Sequence, residues 1–455
     1  MDQPNIFLIV FDTLRKDVLP VYGGDAIAPN LTEFSKDAVV FNNAISPSPW
    51  TVPSHFSFFT GLYAREHNVY EDFRTGDREI FEKMSNFTGE TITKKLYDLG
   101  YNTIAYSANP WLSPYSGFDR YFRFFNFQDP IYFNDFERQL AEELKKYGNN
   151  KIKAAMNLTL KLKIKEIQNF YLAYKSIHGR INPYPISKGA DRIIDNIVNS
   201  SYEEPFFIFI NLMEVHEPTA KWELKEDDRK IKYLDVTGIK TLNNNELNKI
   251  KYGYKQSLKF LDEQFGKLIK YLKKQKIYDE SLIILLSDHG QSLKDEHKFS
   301  YYGHGNFLYD EIIEVPLIVK FPKNSKYEIK KGYQSLTSIP KIIQNVAEGE
   351  NYTDITEEIA YSETFGPIHD LNELVKTGVL PNNININEII KNIFYPKKAI
   401  YMNKYKLVVN GLSGEIDEFT YNGKILSIKD NSTVLKDLVN ELEFFKGTEK
   451  FKLPF

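Results

Sequence analysis

Residues 48–61, SPWTVPSHFSFFTG, predict an extended entry into a helix, with a functional turn between them. Pro49 and Trp50 favour the extended part, and Pro53 suits the first helical position because a proline there loses no hydrogen bond. A helix that begins there points free N–H groups and its positive dipole end back at Thr51. Such a place favours a bound anion and an ionised hydroxyl, so Thr51 is a candidate nucleophile. The alternative is an ordinary loop-to-helix turn.

Composition narrows the class of protein. The chain has 455 residues, enough for a large α/β domain and a smaller one, and its net charge of −3 shows no nucleic-acid footprint. It has no cysteine, which excludes disulfides, thiolate metal sites and a cysteine nucleophile. No basic leader precedes the first apolar run, and no window comes near the roughly 18 apolar residues of a membrane span. We therefore expect a cytoplasmic protein.

Short apolar runs that end in polar residues predict buried parallel strands. Three of them precede candidate ligands: 6–11 before Asp12, 206–212 before His216, and 282–286 before Asp288 and His289. A further run at 101–106 leads into the polar loop SANPWLSP, which contains Asn109. In open α/β sheets ligands bind at the carboxyl ends of strands, so we expect these side chains to converge.

The order of strands and helices predicts the fold class. Across residues 1–350 strands alternate with helical patterns, as at 90–99 and 249–274, and one more strand is expected at 315–321. This predicts an α/β catalytic domain with a doubly wound, mostly parallel central sheet flanked by helices. Residues 351–455 predict a small antiparallel subdomain, with strands at 397–409 and 415–421 around a hairpin-like Asn410–Gly411 and a helix at 433–445.

Residues 130–190 interrupt this pattern with long helical periodicity and many lysines. Within 144–188 the only acid is Glu166. We predict a helical insertion with a basic face. That face is either a solvated surface or a lid that attracts an anionic substrate or contacts a membrane surface. The oligomeric state is left open.

The converging strand ends assemble hard and borderline metal ligands. They are Asp12, His216, Asp288 and His289, with Thr51 at the neighbouring turn. Carboxylates with imidazole suit Zn, Mn or a similar divalent ion, and Ca or Mg less well. His304 follows between Gly303 and Gly305, which would let its backbone approach a ligand closely.

Longer segments resemble the sulfatase branch of the alkaline phosphatase superfamily. The resemblance covers residues 4–126 and 187–322 and rests on LIVFDTLRKD, TVPSHFSFFTGLYAREHNV, FFIFINLMEVHEP and LIILLSDHGQSLKDEHKFSYYGHGNFLYDEIIEVPLIVKFP. It implies a metal-dependent ester hydrolase. The metal ligands that it implies are Asp12, Thr51, Asp288 and His289. The implied substrate is an anionic ester of a small molecule, a glycan or a lipid head group.

Departures from the sulfatase pattern point to a threonine nucleophile. Sulfatases oxidise Cys or Ser to formylglycine within a Cys/Ser-x-Pro-x-Arg motif, whereas this chain has Thr51 and, at the arginine position, His55. Phe11 replaces the first of two aspartates, and Ala108–Trp111 replaces a Gly-Lys-Trp-His stretch. The threonine resembles the phosphodiesterase and phosphoglycerol-transferase relatives. Leu212 stands where two-zinc relatives carry an aspartate, which puts a second metal in doubt.

These residues predict a metal-dependent hydrolase or transferase of phosphate or phosphonate esters. Thr51 would attack the substrate to form a covalent ester. Asn109, His216 and His304 would contact the other oxygens of the substrate or give a proton to the leaving oxygen. One alternative is a sulfuric ester hydrolase, a sulfatase, that acts on a sulfated sugar or an aryl sulfate. Another is a binding protein that has kept the fold without catalysis.

Overall fold

The computed structural model describes most of the chain. The described residues are 3–72, 74–120, 122–128, 186–219, 228–297, 299–323, 327–350 and 356–446. The helical insertion expected at 130–190 lies almost wholly outside them, so its helicity and its role stay predictions. Among the described helices, none combines the length and the apolar character that crossing a membrane requires.

An eight-stranded sheet forms the centre of the main domain. The strands up to residue 335 are β1 (Ile6–Phe11), β2 (Val39–Ile45), β3 (Asn102–Ser107), β4 (Phe124–Phe127), β5 (Phe206–Leu212), β6 (Leu282–Leu286), β7 (Ser292–Leu293), β8 (Tyr302–Gly303), β9 (Glu314–Lys320) and β10 (Glu328–Ser335). The sheet order is β10-β2-β9-β6-β1-β5-β3-β4, and β7 pairs with β8 separately. Only β9 of these eight strands runs against its neighbours. The expected mostly parallel sheet is therefore confirmed.

Helices cover both faces of this sheet. The α-helices are α1 (Pro29–Ser35), α2 (Thr51–Thr60), α3 (Ala64–His67), α4 (Ile80–Asn86), α5 (Ile92–Asp98), α6 (Ala190–Val198), α7 (Asp228–Val236), α8 (Asn244–Lys274), α9 (Asp310–Ile313), α10 (Ile339–Ala347), α11 (Leu371–Lys376), α12 (Ile386–Asn392) and α13 (Ser432–Lys446). Alternate residues of β1 enter two cores: Phe7 packs with residues of α1, α6 and α8, and Leu8 with residues of α2, α5 and α10. Burial on both faces explains why β1 is a continuous apolar run.

The longest of the described helices, α8, begins five residues before the expected start at Lys249. Asn243 precedes it, and its side chain accepts hydrogen bonds from the N–H groups of Asn245 and Glu246. The Glu246 side chain in turn accepts the Asn243 N–H. This capping box satisfies N–H groups that would otherwise lack partners at the helix start. The polar first turn carries no apolar periodicity, which is why the pattern alone missed it.

The C-terminal region forms a second, antiparallel sheet, as expected. Its strands are β11 (Ile359–Thr364), β12 (Lys397–Met402), β13 (Tyr405–Asn410), β14 (Ile416–Tyr421) and β15 (Lys424–Ile425). The single strand predicted at 397–409 is wrong, because a turn divides it into β12 and β13. Asn403 and Lys404 adopt φ angles of 51° and 70°, the conformation of a two-residue hairpin turn. Leu435 and Leu438 of α13 pack on this sheet.

Candidate active site

The predicted site residues meet at the carboxyl edge of the main sheet. Asp12 follows β1, Asn109 follows β3, and Asp288 and His289 follow β6, while Thr51 begins α2. All five side chains are buried. The sheet order places β1 next to both β5 and β6, with β3 beyond β5. The strand ends therefore converge as the sequence predicted.

The helix after the predicted turn begins at Thr51 itself, not at Pro53. Trp50 is extended, with φ −155° and ψ 167°, and Thr51 is the first helical residue. Pro53 is the third, where its missing N–H still costs nothing because the first-turn N–H groups have no partner within the helix. Thr51 therefore lies at the positive end of α2, which favours an anion beside it.

Serine hydroxyls connect the loops that carry these residues. Ser287 Oγ accepts the N–H of Leu14 at 2.8 Å and lies 2.7 Å from the carbonyl oxygen of Phe11, so it joins the ends of β1 and β6. Ser54 Oγ donates to the carbonyl oxygen of Asp288 across 2.7 Å, which ties the first turn of α2 to the same place. Hydrogen bonds between serine hydroxyls and the backbone thus set the relative positions of the loops that carry the ligands.

One nitrogen of His289 is available to a metal. Its Nδ1 lies 2.9 Å from the carbonyl oxygen of Gly290, which can only accept, so Nδ1 carries the proton. The lone pair is then on Nε2. This atom lies 3.5 Å from Asp288 Oδ2, 3.8 Å from Asp12 Oδ1 and 3.4 Å from Thr51 Oγ1. We refer to Asp12, Thr51, Asp288 and His289 as the metal-ligand cluster.

The metal-ligand cluster fits a divalent cation. Asp12 Oδ1 and Asp288 Oδ2 are buried and accept no hydrogen bond from the part of the chain that the structure describes. Burial raises the pKa of Asp12 to about 6, with the Asp288 charge adding to the effect, and burial raises the pKa of Asp288 to about 7. A cation between these oxygens would offset both effects. Two carboxylates, an imidazole and a hydroxyl form a donor set suited to Zn- or Mn-like ions.

Two further residues support the cluster and were not predicted for that role. Asn211 Nδ2 lies 3.4 Å from Asp12 Oδ2. His55 Nδ1 donates to the carbonyl oxygen of Thr51 across 2.9 Å and lies 3.5 Å from Asp288 Oδ2. The sequence contained one signal for Asn211, because it is the only polar residue in the buried run FFIFINL. His55 was noted only as the residue that replaces the motif arginine.

His216 and His304 form a second group with Glu217 beside the metal-ligand cluster. Their ligand atoms lie within 4.8 Å of one another, and the ring centres of His304 and His289 are 4.4 Å apart. His304 Nδ1 lies 2.8 Å from Gln291 Oε1 and 3.2 Å from Glu217 Oε2, while His216 Nδ1 lies 2.6 Å from the Glu217 carbonyl oxygen. Both Nδ1 atoms are thus engaged, which leaves the Nε2 atoms to contact a substrate. We call this group the histidine–glutamate group.

The glycines that flank His304 make room for protein side chains, and the expected close approach of this backbone to a ligand stays a prediction. A side chain at Gly303, where φ is 136°, would come within 2.9 Å of the Lys232 methylene groups. One at Gly305 would overlap Ile368. Lys232 is buried, and burial lowers its pKa to about 8 despite the nearby Glu217 carboxylate. A cationic group that the sequence did not single out therefore lies beside the site.

A chain with this fold, and with buried carboxylates and a histidine at this edge of the sheet, is expected in the alkaline phosphatase superfamily, a class of metal-dependent ester hydrolases. Within that class, a profile of the Sulfatase family matches residues 4–347, which is most of the chain. The chain belongs to the sulfatase family. The resemblance stated from the sequence motifs is confirmed at that level.

Two individual relatives share less than a quarter of the aligned residues with this chain. The N-acetylglucosamine-6-O-sulfatase of Bacteroides thetaiotaomicron is 24% identical over 381 residues, which are 71% of this chain and 64% of that protein. The arylsulfatase of Clostridium perfringens is 23% identical over 354 residues, 71% of this chain and 69% of that one. This chain thus spans about two thirds of the length of these sulfatases.

Solved structures share the fold across nearly the whole chain. The phosphonate monoester hydrolase of Agrobacterium radiobacter matches with a TM-score of 0.65 at 15% identity, over 98% of this chain and 95% of that one. Identity this low shows the fold alone. The relatives named from sequence are mostly sulfatases, so the comparisons favour the sulfate-ester alternative over the phosphate and phosphonate esters that we expected.

Proposed function

We propose that this protein is a hydrolase or transferase of phosphate or phosphonate esters in which Thr51 is the nucleophile. The observation that carries the proposal is the position of the Thr51 hydroxyl. Thr51 is the first residue of α2, it is buried, and its Oγ1 lies 3.4 Å from His289 Nε2 and 3.5 Å from Asn109 Nδ2. A hydroxyl among metal ligands, at a helix N-terminus, is in a suitable place to attack an anionic ester.

The metal-ligand cluster would hold a divalent ion that acidifies a nearby hydroxyl and offsets the negative charge of the substrate. The residues themselves do the remaining work. Free N–H groups in the first turn of α2 bind a nonbridging oxygen of the substrate. Asn109 donates to Asp12 Oδ2 across 2.7 Å and so holds this ligand beside the nucleophile.

The reaction then follows from these positions. Thr51 Oγ forms a bond to phosphorus and gives its proton to water, while the bond from phosphorus to the leaving oxygen breaks. The leaving oxygen takes a proton from water or from the doubly protonated ring of His216. His304 contacts the substrate as a neutral ring, because burial holds its pKa well below the ordinary value. Water, or an acceptor alcohol, next attacks phosphorus and loses its proton. The Thr51 oxygen departs, is reprotonated and is ready for another cycle.

Sulfate-ester hydrolysis is the second candidate, and the names of the relatives favour it. These names concern a sulfated sugar and an aryl sulfate. The chemistry of threonine favours phosphate and phosphonate esters instead. A formylglycine hydrate has two hydroxyl groups, so one of them can expel sulfate from the other, whereas Thr51 has only one. A threonine ester must be cleaved by direct attack on its central atom, which phosphorus permits readily.

Parallel assays with aryl esters of phosphate, phosphonate and sulfate test the proposal, together with Thr51→Ala and Thr51→Ser. Thr51→Ala should lose turnover of every ester at an unchanged melting temperature, and Thr51→Ser should keep measurable turnover. Mass spectrometry of wild type quenched during turnover should find the added phosphoryl or phosphonyl group on Thr51. Thr60→Ala, at the other end of α2, is the matched control and should keep wild-type turnover. An active Thr51→Ala enzyme would refute covalent catalysis and indicate attack by water.

A further inference from the structure

Three aromatic side chains form a continuous row beside the candidate nucleophile. Trp50, directly before Thr51, is 1% exposed and contacts Trp111 edge to face, with ring centres 5.9 Å apart. Trp111 stacks on Phe81 of α4, with ring centres 4.9 Å apart and planes 26° apart. Phe81 is 42% exposed. We call Trp50, Trp111 and Phe81 the aromatic ladder; its inner member directly precedes Thr51 in the chain, and its outer member is exposed.

Buried hydrogen bonds hold the inner end of the ladder in place. Trp50 Nε1 donates to the Glu71 carboxylate across 2.6 Å. Glu71 is fully buried and also accepts the N–H of Phe365 at 2.8 Å and the hydroxyl of Thr364 at 3.2 Å. The ring of Trp50 is therefore fixed before any ligand arrives. A surface that is already ordered loses little conformational entropy when it binds a ligand.

The ladder is also connected to the catalytic groups through the loop after β3. The N–H of Trp111 donates to Asn109 Oδ1 across 2.9 Å, while the other end of that amide lies 3.5 Å from Thr51 Oγ1. Two residues of chain span at most about 7 Å, so Trp111 begins close to the atom that Thr51 would attack. A group attached to that atom, on the side of this loop, would reach the ladder.

The chemistry of the ladder selects a class of ligand. Its rings are flat and apolar, and the outermost one is exposed although burial would be favourable for it. Aromatic faces gain most from contact with another aromatic ring or with a flat apolar face. Glu71 accepts hydrogen bonds from within the protein, so its carboxylate is occupied inside the fold.

We propose that the aromatic ladder is a subsite for the ring of the alcohol part of the ester, either a pyranose or an aryl group. This inference rests on the proposed function and deepens it, because it names the part of the substrate that lies away from the reacting atom. Trp111 and Phe81 make the contact with the ring, and Trp50 positions Trp111.

Ring-bearing and ring-free substrates that share one acid group test the subsite. We compare kcat/KM for phenyl phosphate, glucose 6-phosphate and methyl phosphate in wild type, Phe81→Ala and Trp111→Ala, and in Tyr97→Ala as control. Tyr97 is another exposed aromatic residue, on α5. The ratio of kcat/KM for a ring ester to that for methyl phosphate should fall about tenfold in Trp111→Ala and a few-fold in Phe81→Ala. The ratio should not change in Tyr97→Ala. The larger loss, for phenyl or for glucose, identifies the kind of ring.

A binding experiment separates failure of this inference from failure of the proposed function. Calorimetry with phenylphosphonate and methylphosphonate on the Thr51→Ala protein should show tighter binding of the phenyl compound. Adding Phe81→Ala or Trp111→Ala should reduce that preference. An unchanged preference in both variants, or equal losses for both ligands, would overturn the subsite even if turnover proceeds through Thr51. Wild-type protein that turns over none of the esters but prefers the phenyl ligand through the ladder would overturn only the proposed function.

Discussion

The side-chain amide of Asn109 donates a hydrogen bond to Asp12 across 2.7 Å and so joins the ends of two strands that are not neighbours. Asp12 follows β1 and Asn109 follows β3, and β5 lies between these strands. Strand spacing puts the two backbones about 10 Å apart. Since the same amide nitrogen lies 3.5 Å from Thr51 Oγ1, one side chain sets the position of a metal ligand relative to the nucleophile.

Replacing Asn109 should therefore lower activity more than stability. In Asn109→Ala, Asp12 loses its closest donor, and we expect kcat/KM to fall about 10- to 100-fold, as for other groups that orient metal ligands. The melting temperature should fall slightly, because the N–H of Trp111 also loses its acceptor. Steady-state kinetics and thermal unfolding measure both effects. Asn199→Ala, at the exposed end of α6, is the control. Wild-type kinetics in Asn109→Ala would show that this bond has no part in the reaction.

Thr51→Cys should not convert the protein into a formylglycine sulfatase. His55 occupies the position where the maturation motif needs arginine, and it is fully buried. We expect no aldehyde at position 51 and no gain of aryl sulfate hydrolysis, even in a host that makes formylglycine. Peptide mass spectrometry and an aryl sulfate assay, with wild type from the same host as control, measure these outcomes. Detection of the aldehyde would contradict the importance of the arginine position.

The metal-ligand cluster should bind one divalent ion per chain. Wild type dialysed against Zn²⁺ or Mn²⁺ and then passed through a desalting column should retain one equivalent by elemental analysis, and Asp288→Asn should retain much less. Asp98→Asn, which removes an exposed carboxylate on α5, is the control. The bound ion should also raise the melting temperature, because an ion at 100 times its Kd stabilises the folded state by about 2.7 kcal/mol. Two retained equivalents would instead indicate a second ion, for which the histidine–glutamate group offers ligands.

Glu71 should make the protein less stable as pH rises from about 4.5 towards 7. Burial raises the pKa of Glu71 from its ordinary 4.5 to about 7. Between these values the folded state keeps a proton that the unfolded state has lost, so the free energy of unfolding falls as pH rises. The shift corresponds to roughly 3 kcal/mol at most. Urea unfolding at pH 5 and pH 8 should show a smaller difference in Glu71→Gln than in wild type. Glu82→Gln, on the exposed face of α4, should retain the wild-type difference.

Sequence patterns predicted the elements of the main sheet well where a strand is buried on both sides. The runs 206–212 and 282–286 coincide with β5 and β6, because two covered faces leave only apolar residues. They failed where a turn consists of ordinary polar residues, as at Asn403–Lys404, which divides an expected strand in two. They also missed the polar start of α8, since a capping turn has no apolar period.

The sequence by itself determined the chemistry that is available and the family. Asp12, Asp288 and His289 stand directly after apolar strands, and Thr51 occupies the place of the residue that sulfatases oxidise. Because each of these signals lies within a few residues of chain, it can be recognised without a structure. The lack of cysteine can also be recognised without a structure.

Only the tertiary structure decided which of these groups meet. It brought Asn211 and His55 to the metal-ligand cluster and grouped His216 and His304 with Glu217 beside it. It also placed Trp111 between Trp50 and Phe81. Contacts at the site join distant residues, such as Phe11 and Ser287, which are 276 positions apart. Such contacts depend on the order of strands in the sheet and on side-chain packing, neither of which is encoded in the local pattern of residues.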